Sequence, residues 1–390
     1  MLKLFQSKKV RSWLVTTALL FASAALIAAP GEAIEGAKSG LTLCFNVIVP
    51  SLFPFFVLSS LVVDLGLAAQ LGRAMEKLMR PLFRVSGSCA AAVALGFIGG
   101  YPVGARTALQ LYQQGLCSKP EAERLLSFCN NSGPAFILGV VGAGVFGDSR
   151  VGFLLYLTHA FASLLVGILF RFYGQDGKRP AIRHAKPIET ITLPAAFTSA
   201  VTRSLQNTLN ICAFVVFFSV VLQLLTTYGA LAALANLLAA FGFEPEWARR
   251  LVAGLLELSS GVSSLSGGGG FVGLASMAAF MLGWAGLSVH CQVLSFLVDS
   301  GLSAKTYLAG KLCHGFIAAG LTWLLARLVP MEEPVIYYLV EQSEALADLD
   351  FFSALTASVG AVLIVGLLFS LLSISRLRKR GRKISKHAVY

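Results

Sequence analysis

The order of segments along this chain occurs twice, and the number of crossings between the two occurrences turns the second upside down relative to the first. From Asn46 to Phe170 the sequence runs through an apolar span, a basic amphipathic stretch, a Gly-broken hairpin, a broken apolar span, a short turn and a final apolar span. From Asn210 to Leu328 the same order returns. Each copy opens with an Asn before an aromatic-rich run, Asn46–Phe56 and Asn210–Phe218. Each closes on a Gly-led turn, Gly147–Arg150 or Gly301–Lys305, before a helix carrying a histidine, His159 or His314. If the hairpin re-enters without crossing, one copy crosses three times, and an odd count inverts the next. Inverted repeats with interrupted helices are how secondary transporters build a site at mid-membrane.

The chain is too apolar for a soluble globule, with 56% of its 390 residues hydrophobic and 13% charged. Runs such as Trp13–Ala29, Tyr307–Leu325 and Leu355–Leu372 approach the length that crosses a hydrocarbon core of roughly 30 Å. Eight crossings are expected, near 12–29, 40–63, 125–146, 151–171, 208–228, 271–298, 306–329 and 353–374. The net charge of +12 falls unevenly about them. With the N-terminus inside, Lys3, Lys8, Lys9, Arg11, Arg73, Lys77, Arg80, Arg84, Lys119 and Arg124 lie inside, as do the basic residues of 171–207 and of Arg376–Lys386. Lys305 and Lys311 join them at the inner edge. Few basic residues fall outside, and the acidic stretch Glu332–Asp350 does. That bias sets orientation, places both termini in the cytoplasm, and leaves no charge that needs a nucleic-acid partner. Ala22-Ser23-Ala24 has cleavage-site spacing, but the apolar run continues to Ala29, which favours a retained helix over a signal peptide. Seven scattered cysteines, without a CxxC, read as buried thiols and give no disulfide framework or metal site.

The expected organisation is an N-terminal helix and loop (1–39), a first repeat (40–171), a cytoplasmic linker with an interfacial helix (172–207), an inverted second repeat (208–329), and an acidic external loop, last helix and basic tail (330–390). Pro50 and Pro54 kink the first span of the first repeat. Leu67–Phe83 puts Leu71, Met75, Leu78 and Leu82 on one face and basic residues elsewhere, an interfacial helix; its counterpart, Ala230–Phe241, lacks the basic residues. Gly99–Arg106 carries three glycines and a proline, which cannot stay helical, so Cys89–Leu116 reads as a re-entrant hairpin. The second hairpin spans about 248–270 and breaks at Glu257–Ser264. Asn130-Asn131-Ser132-Gly133-Pro134 interrupts the span 125–146, and Gly283–His290 interrupts 271–298.

The candidate site residues follow from those interruptions. Gly99, Gly100 and Tyr101 sit at the first hairpin tip. Asn130, Asn131, Ser132 and Gly133 free backbone groups at depth, and Pro134 starts a half-helix whose N-terminus attracts an anion or a polar carbonyl. Arg106, near the tip, can clamp a carboxylate or snorkel to the surface. Glu257 is the carboxylate of the second hairpin, a candidate for proton or sodium coupling, with Ser259 and Ser260 beside it. Ser288 and His290 follow the second break. His159 and His314 occupy matching places, which favours interhelical packing. No nucleophile elbow, P-loop or zinc motif is present, so no cofactor and no enzymatic activity are expected.

The run Gly99-Gly100-Tyr101-Pro102-Val103-Gly104-Ala105, together with Asn130-Asn131-Ser132-Gly133-Pro134-Ala135-Phe136-Ile137, resembles the YlbJ (stage V sporulation protein V) family of sporulation membrane proteins. That family lies within the wider nucleoside-recognition, or gate, group. The resemblance covers most of residues 10–330 and implies a fold similar to concentrative nucleoside transporters, with substrate held between two hairpins and two unwound helices. It further implies that dipicolinic acid is moved across the outer forespore membrane during endospore formation. A planar pyridine with two carboxylates suits helix N-termini, an arginine and amide donors. The competing expectations are a nucleoside or other neutral-metabolite permease on the same scaffold, and a non-transporting scaffold that recruits partners through its tail and acidic loop.

Overall fold

The computed structural model describes residues 8–65, 67–174, 192–266 and 268–328, and among them there are helices and connections but no strand. The expected crossing 353–374, the acidic loop, the basic tail and residues 175–191 of the linker lie outside the described residues. Helix α1 (Lys8–Ala28) meets α2 (Pro30–Leu43) at a bend of 99° between Leu19–Ala28 and Pro30–Asn46. Pro30 opens α2 because a helix's first turn needs no donor from it. A π-helical turn, Cys44–Ile48, joins α2 to α3 (Val49–Asp64), so the helix expected from residue 40 begins ten positions earlier. Then come α4 (Leu67–Phe83), the hairpin arms α5 (Ala90–Gly99) and α6 (Val103–Gln113), and α7 (Lys119–Leu126). Residues 129–133 are not helical; beyond Pro134 the chain resumes as a π-helix, Ala135–Val145, and then as α8 (Ser149–Leu169).

The second copy has the same parts. A helix of 35 residues, α9 (Leu193–Thr227), leads to α10 (Ala230–Ala239), the second hairpin α11 (Pro245–Leu256) and α12 (Leu258–Ser263), the broken pair α13 (Phe271–Trp284) and α14 (Gly286–Leu297), and α15 (Lys305–Leu328). The segment expected as a separate interfacial linker is, from Leu193 on, the start of α9. At 1.5 Å per residue that helix is roughly 52 Å long, well beyond the hydrocarbon core. Among the described residues, Ser149–Phe172, Leu193–Thr227, Phe271–Leu297 and Lys305–Leu328 are long and apolar enough to cross, and two bent pairs raise the number to six.

Matching helices run antiparallel. At one end of α2–α3 the Glu32 carboxylate accepts from Gln223 Nε2 at 2.6 Å, near the C-terminus of α9. At the other end Asp64 pairs with Arg203, near its N-terminus. Two glycines seat that contact: a Cβ on Gly36 would lie 2.9 Å from Val220 Cα, and one on Gly40 would lie 2.8 Å from Val216 Cα. Likewise α8 and α15 cross with Thr322 Oγ1 donating to Thr158 Oγ1 at 2.8 Å. Glu123 ties the end of one to the start of the other, accepting from Tyr173 Oη at 3.2 Å and from Ser303 N at 2.8 Å.

Both hairpins return to where they start. Ser86 and Ser88 hydroxyls, before the first arm of the first hairpin, donate to Leu116 O after its second arm, at 3.0 and 2.8 Å. In the second hairpin Arg250 donates to Gly268 O at 2.9 Å. Side-chain bonds at the mouth close each loop on one side, as a re-entrant segment requires.

Candidate functional site

Each hairpin tip is seated on a helix break. In the first copy Gly100 has φ 76°, a conformation glycine adopts without cost, and its missing side chain makes room for the break: a Cβ there would lie 2.9 Å from Gly133 N. Behind the tip, Gly96 and Gly104 enclose the carbonyl of Cys129, and a Cβ on either would lie 1.9 Å from that oxygen. In the second copy Glu257 is extended (φ −142°, ψ 123°) and stops α11. Its carboxylate caps α12, with Oε1 accepting from Ser259 N at 3.0 Å and Oε2 from Ser260 N at 2.7 Å. The second break is narrower than the expected Gly283–His290: it is one residue, Ala285, held in the left-handed region at φ 80°, followed by Gly286. A Cβ on Gly286 would lie 3.0 Å from Leu258 N, so this tip also touches its break through backbone.

Between the two tips and the two breaks lies a cavity of about 140 Å³. Its polar lining is Tyr101, Ser132, Glu257, Ser259, Ser288 and Gln292; Leu43, Phe136 and Ile211 are part of an apolar wall. At about 30 Å³ per molecule of liquid water, this is room for roughly five waters, less than the ~300 Å³ at which drug-sized pockets begin. Two half-helices begin beside it, at Ala135 and at Gly286, with Gly133, Phe136, Ser288 and Val289 in its lining; a helix N-terminus has amides without intrahelical partners and the positive end of the helix dipole.

Of the residues expected from sequence, Gly99, Gly100, Tyr101, Ser132, Gly133, Glu257, Ser259 and Ser288 line this cavity. Ser260 supplies an amide to Glu257 from behind the tip. Asn130, Asn131 and His290 are buried one layer back: Asn130 Oδ1 accepts from Ala105 N at 3.4 Å, Asn131 Nδ2 donates to Phe128 O at 3.0 Å, and His290 Nδ1 meets Tyr307 Oη at 3.0 Å. Arg106 is half-buried, not among the lining residues, and its guanidinium carbon lies 4.7 Å from the centre of the Phe296 ring. The His159 and His314 rings meet at a tilt of 40° with centroids 4.3 Å apart, and His159 Nε2 accepts from Ser132 N at 3.1 Å. Gln292, read from sequence only as a neighbour of His290, lines the cavity too, one helical turn beyond Ser288 on the same face of α14.

The largest departure concerns Lys311. Counted by sequence as a charge at the inner edge, it is 1% exposed in the structure. Its Nζ donates to Tyr101 Oη at 2.9 Å and to Asn130 O at 3.0 Å, and lies 3.3 Å from His314 Nδ1. The Tyr101 ring centre is 4.7 Å away, close enough for a cation–π contact. The helical spacing carried the signal: Tyr307, Lys311, His314, Ala318 and Thr322 form one stripe along α15, and all are buried.

Comparison with known proteins places these observations among relatives. A family model described as Gate, nucleoside recognition, matches residues 45–175. The sporulation integral membrane protein YlbJ of Bacillus subtilis is 32% identical over 339 residues, covering 81% of this chain and 83% of that protein. An uncharacterized protein of Alkalihalophilus pseudofirmus is 29% identical over 163 residues, 40% of this chain and 35% of its own. Among solved structures, a substituted form of CNTnw in its intermediate 3 state is similar with a TM-score of 0.47 and 14% identity, covering 84% of this chain and 89% of that one.

Proposed function

This chain belongs to the family of the sporulation integral membrane protein YlbJ, and from that premise we propose that it is a secondary transporter of a small organic anion, dipicolinic acid, in endospore formation. The observation that carries the reading is the cavity where both hairpin tips and both helix breaks converge. Backbone polar groups freed inside a membrane are tolerated where they face a solute. The antiparallel run of α9 along α2–α3 and of α8 along α15 supports an inverted repeat around that cavity. The two N-termini, at Ala135 and Gly286, favour negative charge. Glu257 caps the short α12 beside them with its own carboxylate, which supports a preference of this region's amides for carboxylates. An anion with carboxylates on a flat ring suits a narrow cavity with donors on two sides. Transport rather than catalysis fits a site that holds a carboxylate, three hydroxymethyl side chains and an amide but no nucleophile–base pair.

The test is flux into liposomes that contain the purified protein. Labelled dipicolinate is expected to enter and uridine to be excluded, with Tyr101→Phe and Ser132→Ala slowing dipicolinate at least tenfold. Entry of uridine without dipicolinate would instead select a nucleoside permease, the reading that the family description at residues 45–175 favours. On the same proposal the membrane is the outer forespore membrane and both termini are cytoplasmic.

A further inference from the structure

Among the described residues, Lys311 is a buried basic side chain with no acidic side chain paired to it. Its surroundings come from every element packed on α15 at that depth. They are Tyr101 of the first hairpin, Asn130 and Cys129 of the first break, His159 of α8, His290 of α14, and Tyr307 and His314 of its own helix. The carboxylates of α7, which also packs on α15, are engaged elsewhere: Glu121 with Arg80 at 3.0 Å, and Glu123 with Ser303 N and Tyr173. Among the described residues no acidic side chain forms an ion pair with Lys311.

The hydrogen bonds around it define what this nitrogen is asked to be. Tyr101 Oη gives its own proton to Leu282 O at 2.5 Å, so it can only accept from Lys311. His314 Nε2 faces the carbonyl of His159 at 2.9 Å and must donate to it, which leaves Nδ1 as an acceptor. Asn130 O accepts by nature. Three acceptors at about 3 Å match the three N–H donors of an ammonium. A neutral amine, with two donors, leaves one acceptor unmatched. The ammonium satisfies every hydrogen bond but lacks a counter-charge; the amine needs no counter-charge but leaves a bond unmade. The three acceptors favour the ammonium and burial disfavours it, and a negative charge nearby shifts the equilibrium toward the ammonium.

Such a charge arrives with the solute. Tyr101 both lines the cavity and shares its hydroxyl oxygen with Lys311, so an anion in the cavity lies one tyrosine away from the ammonium. We propose that Lys311 is the proton-coupling group of this carrier, taking up one proton as an anion enters the cavity and returning it as the anion leaves. The inference rests on the transport reading above. The amine nitrogen binds a proton from the aqueous phase that the anion came from, the N–H bond breaks again toward the opposite phase, and nothing is oxidised or reduced. Coupling is reciprocal: an anion that favours the ammonium must itself bind better to the ammonium form. Anion and proton therefore travel together, although their sites are separate.

The experiment counts protons. Binding of dipicolinate to the purified full-length protein is measured by calorimetry in buffers of different ionisation enthalpy. Wild type is expected to take up close to one proton per anion. Lys311→Arg, a permanent cation, should bind with none, and Lys311→Met should bind at least tenfold more weakly. In liposomes with the potential clamped at zero, an inward acid gradient of one pH unit should concentrate dipicolinate by up to tenfold in wild type and not at all in Lys311→Arg. Proton uptake that persists in Lys311→Arg, or that vanishes in Glu257→Gln alone, overturns the assignment, as does binding to wild type without any proton. Wild type that neither binds nor carries dipicolinate removes the transport reading itself, and this inference with it.

Discussion

A single carbonyl oxygen, that of Cys129, occupies the space where two side chains would otherwise stand. Backbone on both sides leaves little room to retreat, because a Cβ on Gly96 or Gly104 would come within 1.9 Å of that oxygen. Overpacking of a tight core costs about 1–3 kcal/mol and more where nothing flexible yields, so Gly104→Ala is expected at or above the top of that range. Thermal unfolding of the detergent-solubilised protein checks it; an unchanged midpoint would mean the contact is looser than described. Gly104 was legible, since Gly99-Gly100-Tyr101-Pro102-Val103-Gly104 cannot hold a helix; Gly96, inside an arm, was not. Their partner was not, because Cys129 lies 25 residues beyond Gly104 and only the fold brings the two together. Lys311 shows the same limit. A lysine one to two turns into an apolar helix reads as a side chain that snorkels to the surface, and what buries it are Tyr101 and Asn130, 210 and 181 residues away.

Helix ends give predictions of their own. Asp148 caps α8, its Oδ1 accepting from Arg150 N at 2.7 Å while the Arg150 guanidinium pairs with Oδ2 at 2.8 Å. Partial burial pushes this carboxyl up, but the hydrogen bonds and charge of Arg150 outweigh it and hold Asp148 below its ordinary value of 3.8. A lowered folded value means the cap stabilises above the unfolded value and fades as pH falls through the folded one. Asp148→Ala should therefore cost about 1 kcal/mol at neutral pH and lose its effect below pH ~3.8, read from unfolding midpoints across pH. A gap that stayed constant into acid would assign the cost to packing instead. In the second hairpin Glu257→Ala removes the cap of α12 and should cost a similar amount, whereas Glu257→Gln should recover part of it. Sequence patterning found α4 to the residue and both hairpins. It missed the length of α9, whose first turns read as an amphipathic linker, and the early start of α2. Gly36 and Gly40 look like loop residues in isolation, yet they are small because two helix backbones meet there. Gly40→Leu should accordingly separate α2 from α9 and lower the yield of folded protein, while Gly31→Leu, with open space around it, should not.

For the molecule as a whole, the decisive quantity is which end faces which compartment. Contacts join position 64 with 114 and 203 and position 123 with 173 and 303, while 32 meets 223 and 25 meets 228. Charge patterning had sorted the same segments into two sides. Cysteines introduced at Lys119 and Glu244 should therefore react with an impermeant reagent from opposite faces of the membrane. Labelling from one face alone would make the two copies parallel and dissolve the central cavity.

The grip on Cys129 has a kinetic corollary. With both arms of the first hairpin locked around a neighbouring backbone, that hairpin and the first break can travel only as one piece. The outer arm of the second hairpin runs instead into Gly268 and Gly270, where added atoms would meet nothing. The two doors of the chamber are hung differently: the first grips its frame with both arms, while the second meets its frame at the tip and ends in an uncrowded glycine joint.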